Sequence, residues 1–379
     1  MRARTVSRTS RRVCAVLAAV ALLGAACESG PTPRQEAVTS TAADAFSNHV
    51  RLNAHAATLA DSVDELCATP GQMDEAAADR VADGIEATRR TWSYLESLQL
   101  ESVQERRSWA VIDWPISTGD ITSLLLDETK DLTPERIGKR SGADQRGLGA
   151  AEYLLTLHVA RDGTMPAGTA QRRCDYLSSV VEVIREESEL ILDDAWLVID
   201  SDDAPLFMLI APDAEMGVDR LVNGAVFLLE AMTDMELGRA LGETSAEARL
   251  DAIVEGPLGL GAADMLAHLD GLRTVLLGTE HATDFISESG RKLSFAGSSG
   301  FRLLLDDDVV SRLTDQFREA KTALERINGP LREAVVHDPE TVSAARAALK
   351  ALQVTISTEV VSQLGVTIGF SDADGDSSA

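Results

Sequence analysis

Five long stretches of this chain repeat apolar or small residues at steps of three and four, and that period limits the fold more than any other feature. The first runs Phe46, Val50, Asn53, Ala57, Ala60, Val63, Cys67. The second is Leu177, Val180, Ile184, Ile191, Ala195, and the third Leu221, Gly224, Leu228, Ala231, Met235. Val310, Leu313, Phe317, Ala320, Leu324 and Ile327 make the fourth; Val342, Ala345, Leu349, Leu352, Ile356 and Val360 make the fifth. Each predicts an amphipathic helix. Asp306 and Thr341 stand where caps of the last two are expected. Pro70-Gly71, Asp162-Gly163, Gly256-Pro257, Gly329-Pro330 and Asp338-Pro339 punctuate the pattern. Aromatic residues make up only 4% of the chain, which favours helix packing over sheets. The expectation is an all-α protein of two antiparallel helical-bundle halves, 41–203 and 204–370, hinged at the acidic, proline-containing segment 200–212.

The N-terminus reads as an export signal over residues 1–26. Arg2 to Arg12 form its basic region, and Val13 to Ala26 an apolar run too short to span a membrane in the usual way. The run ends Leu23-Gly24-Ala25-Ala26-Cys27, which resembles a bacterial lipoprotein cleavage site, so Cys27 is the expected lipid carrier; plain secretion is the alternative. Residues 27–40 read as a flexible tether and 371–379 as an acidic tail. Two further cysteines, Cys67 and Cys174, are left for an oxidising compartment, where they are expected to pair; two separate buried thiols are the alternative. The formal net charge is −26, and the export signal holds only cations, so the exported part is more acidic still. Such a surface repels nucleic acid and anionic lipid and tolerates cations.

The stretch Arg146-Gly147-Leu148-Gly149-Ala150-Ala151-Glu152-Tyr153-Leu154-Leu155 places a carboxylate in a helix that is apolar all round. An ionised Glu152 in such a place needs a partner, with Arg146, Arg172 or Arg173 as candidates, or else it awaits a ligand. The same stretch resembles the signature helix of imelysin-like proteins, Gly-x-His-x-x-Glu followed by an aromatic residue and leucines. Gly147 and Glu152 match, and Gly149 stands at the histidine position. Arg172-Arg173-Cys174-Asp175-Tyr176-Leu177 and the ending Leu364 to Asp376 are similar to the family as well.

The resemblance implies two helical-bundle halves with a cleft between them, and a cell-envelope role, in the periplasm or at the outer surface, connected with iron uptake. It implies iron or another divalent cation as the candidate ligand, and envelope iron-transport proteins as partners besides the membrane. Ligand-binding candidates are Glu152, Gly147, Gly149, Asp113, Trp114 and Arg173. Peptidase activity, the family's founding label, fits poorly here. Zinc hydrolysis needs about three protein ligands, yet Gly149 replaces the histidine and no two of the six His are three or four apart. A purely structural or partner-binding envelope protein is the remaining alternative. The acidic ending Asp372-x-Asp374-Gly375-Asp376 lacks the glycine spacing and closing glutamate of a calcium loop. Gly256-Pro257-Leu258-Gly259-Leu260-Gly261 follows no strand pattern and does not read as a nucleotide loop.

Overall fold

The computed structural model describes residues 30–369 apart from 72–73, 160–168, 202–203, 244–247, 281–282, 287–291 and 296. The expected export signal, with Cys27, and the expected acidic tail lie outside the described residues. Helix α1, Pro33–Cys67, opens the fold with a capping box: Thr32 accepts from the Gln35 backbone N–H, and the Gln35 side chain accepts from Thr32 N. Pro33 occupies the first turn, where its missing N–H costs nothing. The tether expected over 27–40 is therefore helical from Pro33 onward.

Helix α2 is Glu75–Leu95. Short helices follow: α3, Glu101–Arg106; α4, Trp109–Ile112; α5, Thr118–Leu126; and α6, Pro134–Arg140. Then come α7, Leu148–Val159, and the long α8, Ala170–Ile199. Helix α9, Ala214–Glu230, runs into a π-helical stretch, Ala231–Gly238, and on into α10, Arg239–Leu241. Helix α11 is Gly261–Leu277, α12 Asp307–Leu324, α13 Leu331–His337 and α14 Pro339–Thr355. A second π-helical stretch, Ile356–Val360, joins α14 to α15, Val361–Leu364.

Helices α1, α2, α7 and α8 pack on one another as the first bundle, and α9, α11, α12 and α14 form the second. The all-α expectation holds for the body of the protein. One small hairpin follows α11: β1, Thr283–Ile286, pairs antiparallel with β2, Lys292–Phe295, Thr283 opposite Phe295. The two bundles meet along α2 and α11, while α1 also packs against α9 and the turn at Gly300–Leu304. One apolar core runs through both, from Phe46, Leu59 and Ile85 to Leu272, Phe301 and Leu352. No helix among the described residues is long and apolar enough to cross a membrane.

The fourth and fifth stripes fall on buried faces, with only Val310 left half-buried. The first is displaced: Leu52, Ala56 and Leu59 are buried, whereas Val50 and Ala60 only flank the core. With alanines on several sides of α1, the stripe is broad and its centre weakly marked. Asp338, not Thr341, caps α14, accepting from the Thr341 N–H. Cys67 and Cys174 are joined in a disulfide that ties the end of α1 to the start of α8.

Candidate functional site

Helix α7 starts from a tight turn that only glycine can make. Gly147 has φ +83°, and a Cβ there would lie 2.8 Å from the Ile112 carbonyl oxygen. Arg146 holds the neighbouring backbone, donating from Nε to the Ala110 carbonyl at 3.1 Å and from Nη1 to the Gly138 carbonyl. Leu148, Ala151, Leu154 and Leu155 bury the helix on several sides, and Glu152 is 0% exposed.

The partner of Glu152 is Arg89 on α2, rather than Arg146, Arg172 or Arg173. Arg89 Nη2 donates to Glu152 Oε2 at 3.1 Å, and the Leu258 N–H donates to Oε1 at 2.9 Å. Both carboxylate oxygens are thus engaged, one from each bundle. Gly256 packs so closely that a Cβ there would fall 1.8 Å from Glu152 Oε2, so the 256–258 loop closes directly over the carboxylate. The Gly-Pro segment rejected as a nucleotide loop has this other use.

Arg89 is the hub. Its Nη1 donates to Asp113 Oδ2 at 3.0 Å and lies 3.8 Å from Asp264 Oδ2 on α11. Asp113 reaches it because α4 ends there: the residue is extended, with φ −149° and ψ 102°. One turn beyond Asp264, His268 Nε2 sits 2.5 Å from Glu96 Oε2. Glu236, on the first π-helical stretch, accepts from the Val254 N–H at 3.0 Å. Next to this group, Glu255 accepts from the backbone N–H of Gly261, Leu331 and Arg332 and so fixes the neighbouring loops.

Among the described residues, Asp113, Glu152, Asp264, Glu96 and Glu236 thus act on two cations, Arg89 and His268. Burial pushes the Asp264 carboxyl up to about 7 and that of Glu236 up to about 8, against the pull of Arg89 on the first and of the Val254 N–H on the second. Burial likewise raises Asp113 and Glu152, although Arg89 opposes it. On His268 burial works against the charge, but Glu96, Asp264 and Glu236 prevail and raise it. Oδ1 of Asp264 is buried with no hydrogen-bond partner among the described residues, in a residue only 9% exposed. Among the described residues no group of three or more His, Cys, Asp or Glu is placed to hold a bare metal ion.

A cavity of about 540 Å³ adjoins the hub. Arg89, Asp113, Trp114, Ile116 and Gly149 line it from the first bundle; Val254, Glu255, Pro257, Pro330 and Arg332 line it from the second. Trp114 is 43% exposed and Val254 54% exposed, so two large apolar side chains face solvent at this place. Gly149 is filled in by its neighbour: a Cβ there would lie 2.9 Å from Ile116 Cγ2. The space that a histidine would need at this position thus belongs to isoleucine.

Of the six residues singled out from sequence, Asp113, Trp114 and Gly149 come together on the cavity. Glu152 lies behind them, and Gly147 shapes the turn that leads to them. Arg173 stands apart, donating to Thr169 Oγ1 at 2.9 Å and lowering the pKa of His158, which burial lowers first. Two polar residues of α9 and its π-helical continuation serve other partners: Asn223 binds the backbone at Thr367 and Gly369, and Asp234 holds Arg346 and Lys350. Sequence reasoning missed Arg89, Asp264, His268 and Glu236. For Asp264 and His268 a signal existed, a spacing of four on one helix face.

A family model described as Imelysin matches residues 45–358. No curated protein sequence matches significantly. A crystal structure from Parabacteroides distasonis ATCC 8503, described as an iron-regulated protein A precursor, superposes with a TM-score of 0.67 at 16% identity, covering 89% of this chain and 97% of that one. An imelysin-like protein from Psychrobacter arcticum 273-4 superposes with a TM-score of 0.63 at 15% identity, covering 90% and 98%. At these identities the likeness speaks for a shared fold.

Proposed function

Because the chain belongs to the imelysin family, we propose that it is an exported cell-envelope protein, lipid-anchored through Cys27, that binds an iron-containing ligand in the cavity beside Arg89. The observation that carries this reading is the surplus of buried carboxylates around one guanidinium, with one oxygen of Asp264 left without a partner. Such a surplus favours a ligand of positive charge. The ligand arrives already chelated, since the described side chains offer no three-point metal cage and the cavity is large enough for a small organic complex. Trp114 and the proline rings supply a flat apolar wall, while Asp113 and Glu255 supply negative charge. The description of one structural relative as iron-regulated supports the link to iron.

Catalysis finds no comparable support: Ile116 fills the motif-histidine space, and Glu152 has no free oxygen to act as a base. A non-catalytic structural role is favoured by one observation, the closed Arg89–Glu152 pair. Titrating the chain from Glu28 onward with ferric ion alone and with a cationic ferric trihydroxamate separates the two readings. Saturable binding of the chelate that Trp114→Ala and Asp113→Asn weaken supports a binding protein. Binding of neither probe, with both variants folded, leaves the structural role.

A further inference from the structure

On the opposite side of the α2–α11 seam, two adjoining cavities of about 320 and 340 Å³ share Asn48, Arg51, Tyr94 and Asp270 as walls. They form a groove. Its floor is Tyr94 of α2, whose hydroxyl reaches Asp44 Oδ2 of α1 at 2.7 Å and Thr274 Oγ1 of α11 at 2.8 Å. Arg51 stands on the α1 wall and Arg273 on the α11 wall, both lining the larger cavity.

These two arginines break the protein's own habit. The chain has 61 Asp and Glu for 35 Lys and Arg, so carboxylate partners are abundant, and many of its arginines have one within 4 Å. Arg51 instead donates to the neutral Asn48 Oδ1 at 2.8 Å, and Arg273 has no hydrogen-bond or ion-pair partner among the described residues. Two carboxylates share the recess with them, each holding another partner. Asp44 accepts from Tyr94 and from Asn48 Nδ2, and Asp270 lies 3.4 Å from Lys321 Nζ. Two guanidinium groups thus line one recess with most of their donors unspent among the described residues. At physiological ionic strength charges beyond roughly 8 Å are largely screened, so the groups lining the recess, Arg51 and Arg273 with Asp44 and Asp270, set its field rather than the overall charge of −26.

We infer that the groove between α1 and α11 binds a phosphate-class oxyanion, held by Arg51 and Arg273. Guanidinium forks match the oxygens of phosphate, and charge-assisted hydrogen bonds of this kind are the stronger ones. The site is separate from the cavity beside Arg89 and takes a ligand of opposite charge.

Calorimetric titration of the chain from Glu28 onward with inorganic phosphate at low salt tests it. Saturable binding is expected, weakened at least about tenfold by Arg51→Gln and by Arg273→Gln, the loss of about one charge-assisted contact each. Arg326→Gln, an exposed arginine outside the groove, should leave it unchanged. Arg51 and Arg273 are both exposed, so the variants should keep their fold, which circular dichroism checks. Vesicles containing phosphatidylglycerol form a second arm. Vesicle binding that needs both arginines, without binding of free phosphate, assigns the oxyanion to a lipid headgroup. Binding of neither probe, or equal binding by wild type and both variants, overturns the inference.

Discussion

Arg89 is a cation 4% exposed whose charge is balanced by carboxylates from three different elements. Removing one member of a buried ion pair strands the others. Arg89→Met is therefore expected to lower stability by about 3–5 kcal/mol in urea unfolding, or to prevent folding. Glu152→Gln keeps an acceptor for the Leu258 N–H and should cost less. The cluster also makes stability depend on pH. Asp264 and Glu236 hold their protons to about 7 and 8 when folded, against ordinary values of 3.8 and 4.5. Their contribution is complete below the unfolded values and is lost as pH rises through the folded ones. His49 acts oppositely: burial lowers it to about 4, so its contribution is present above 6.5 and fades as pH falls toward 4. Between pH 6.5 and 8.5 the raised carboxyls and His268, also raised, slope in the same direction. The melting temperature should fall across that range, and Asp264→Asn with Glu236→Gln should flatten the fall. A third test concerns Gly149. Gly149→His should destabilise because Ile116 occupies its space, and adding Ile116→Ala should restore part of the loss. Sequence alone placed Glu152 in a buried helix but could not supply its partner. Arg89 lies 63 residues away, and charge pairing across that distance leaves no periodic trace.

At the scale of elements, the helices that carry strong apolar stripes were legible, and the helix that carries the site was less so. The buried face of α2 includes Gly84, Thr88, Arg89, Thr91 and Ser93, which reads as polar in a period search. Its apolar residues Val81, Ile85 and Trp92 do reach the core, but the seam with α11 needs small and polar side chains beside them. Similarly, nothing in the sequence marks Ala231–Gly238 as π-helical. That wider turn adds a residue to the helix between Asp234, which serves the Arg346 and Lys350 pair, and Glu236, which serves the buried cluster. The Cys67–Cys174 pairing expected from two leftover cysteines is present, although nothing in the sequence shows the approach of the two helices it joins. It closes a span of 107 residues between α1 and α8. Cys67→Ser with Cys174→Ser should lower stability by about 2–4 kcal/mol, measured as a shift in the urea midpoint without reductant.

The whole molecule raises the question whether two bundles make two folding units. Their apolar core is continuous, and α1 belongs to the first bundle while also packing on α9 and the Gly300–Leu304 turn. The seam between α2 and α11 carries, besides apolar contacts, the Arg89 cluster, whose charges need both sides in order to be balanced. Pulling the bundles apart would leave Glu152 without the Leu258 N–H and Glu96 without His268, and would expose the apolar faces of α1 and α2. Each of these costs falls on a half left folded alone, so neither half has a stable intermediate to populate. Scanning calorimetry of the chain from Glu28 onward at pH 6.5 should therefore show one transition, with calorimetric and van't Hoff enthalpies that agree. Two resolved transitions would mean that the seam is an interface between independent domains rather than part of the core. In that case the cluster around Arg89 would open and close with domain motion, and ligand binding there would stabilise the weaker transition alone.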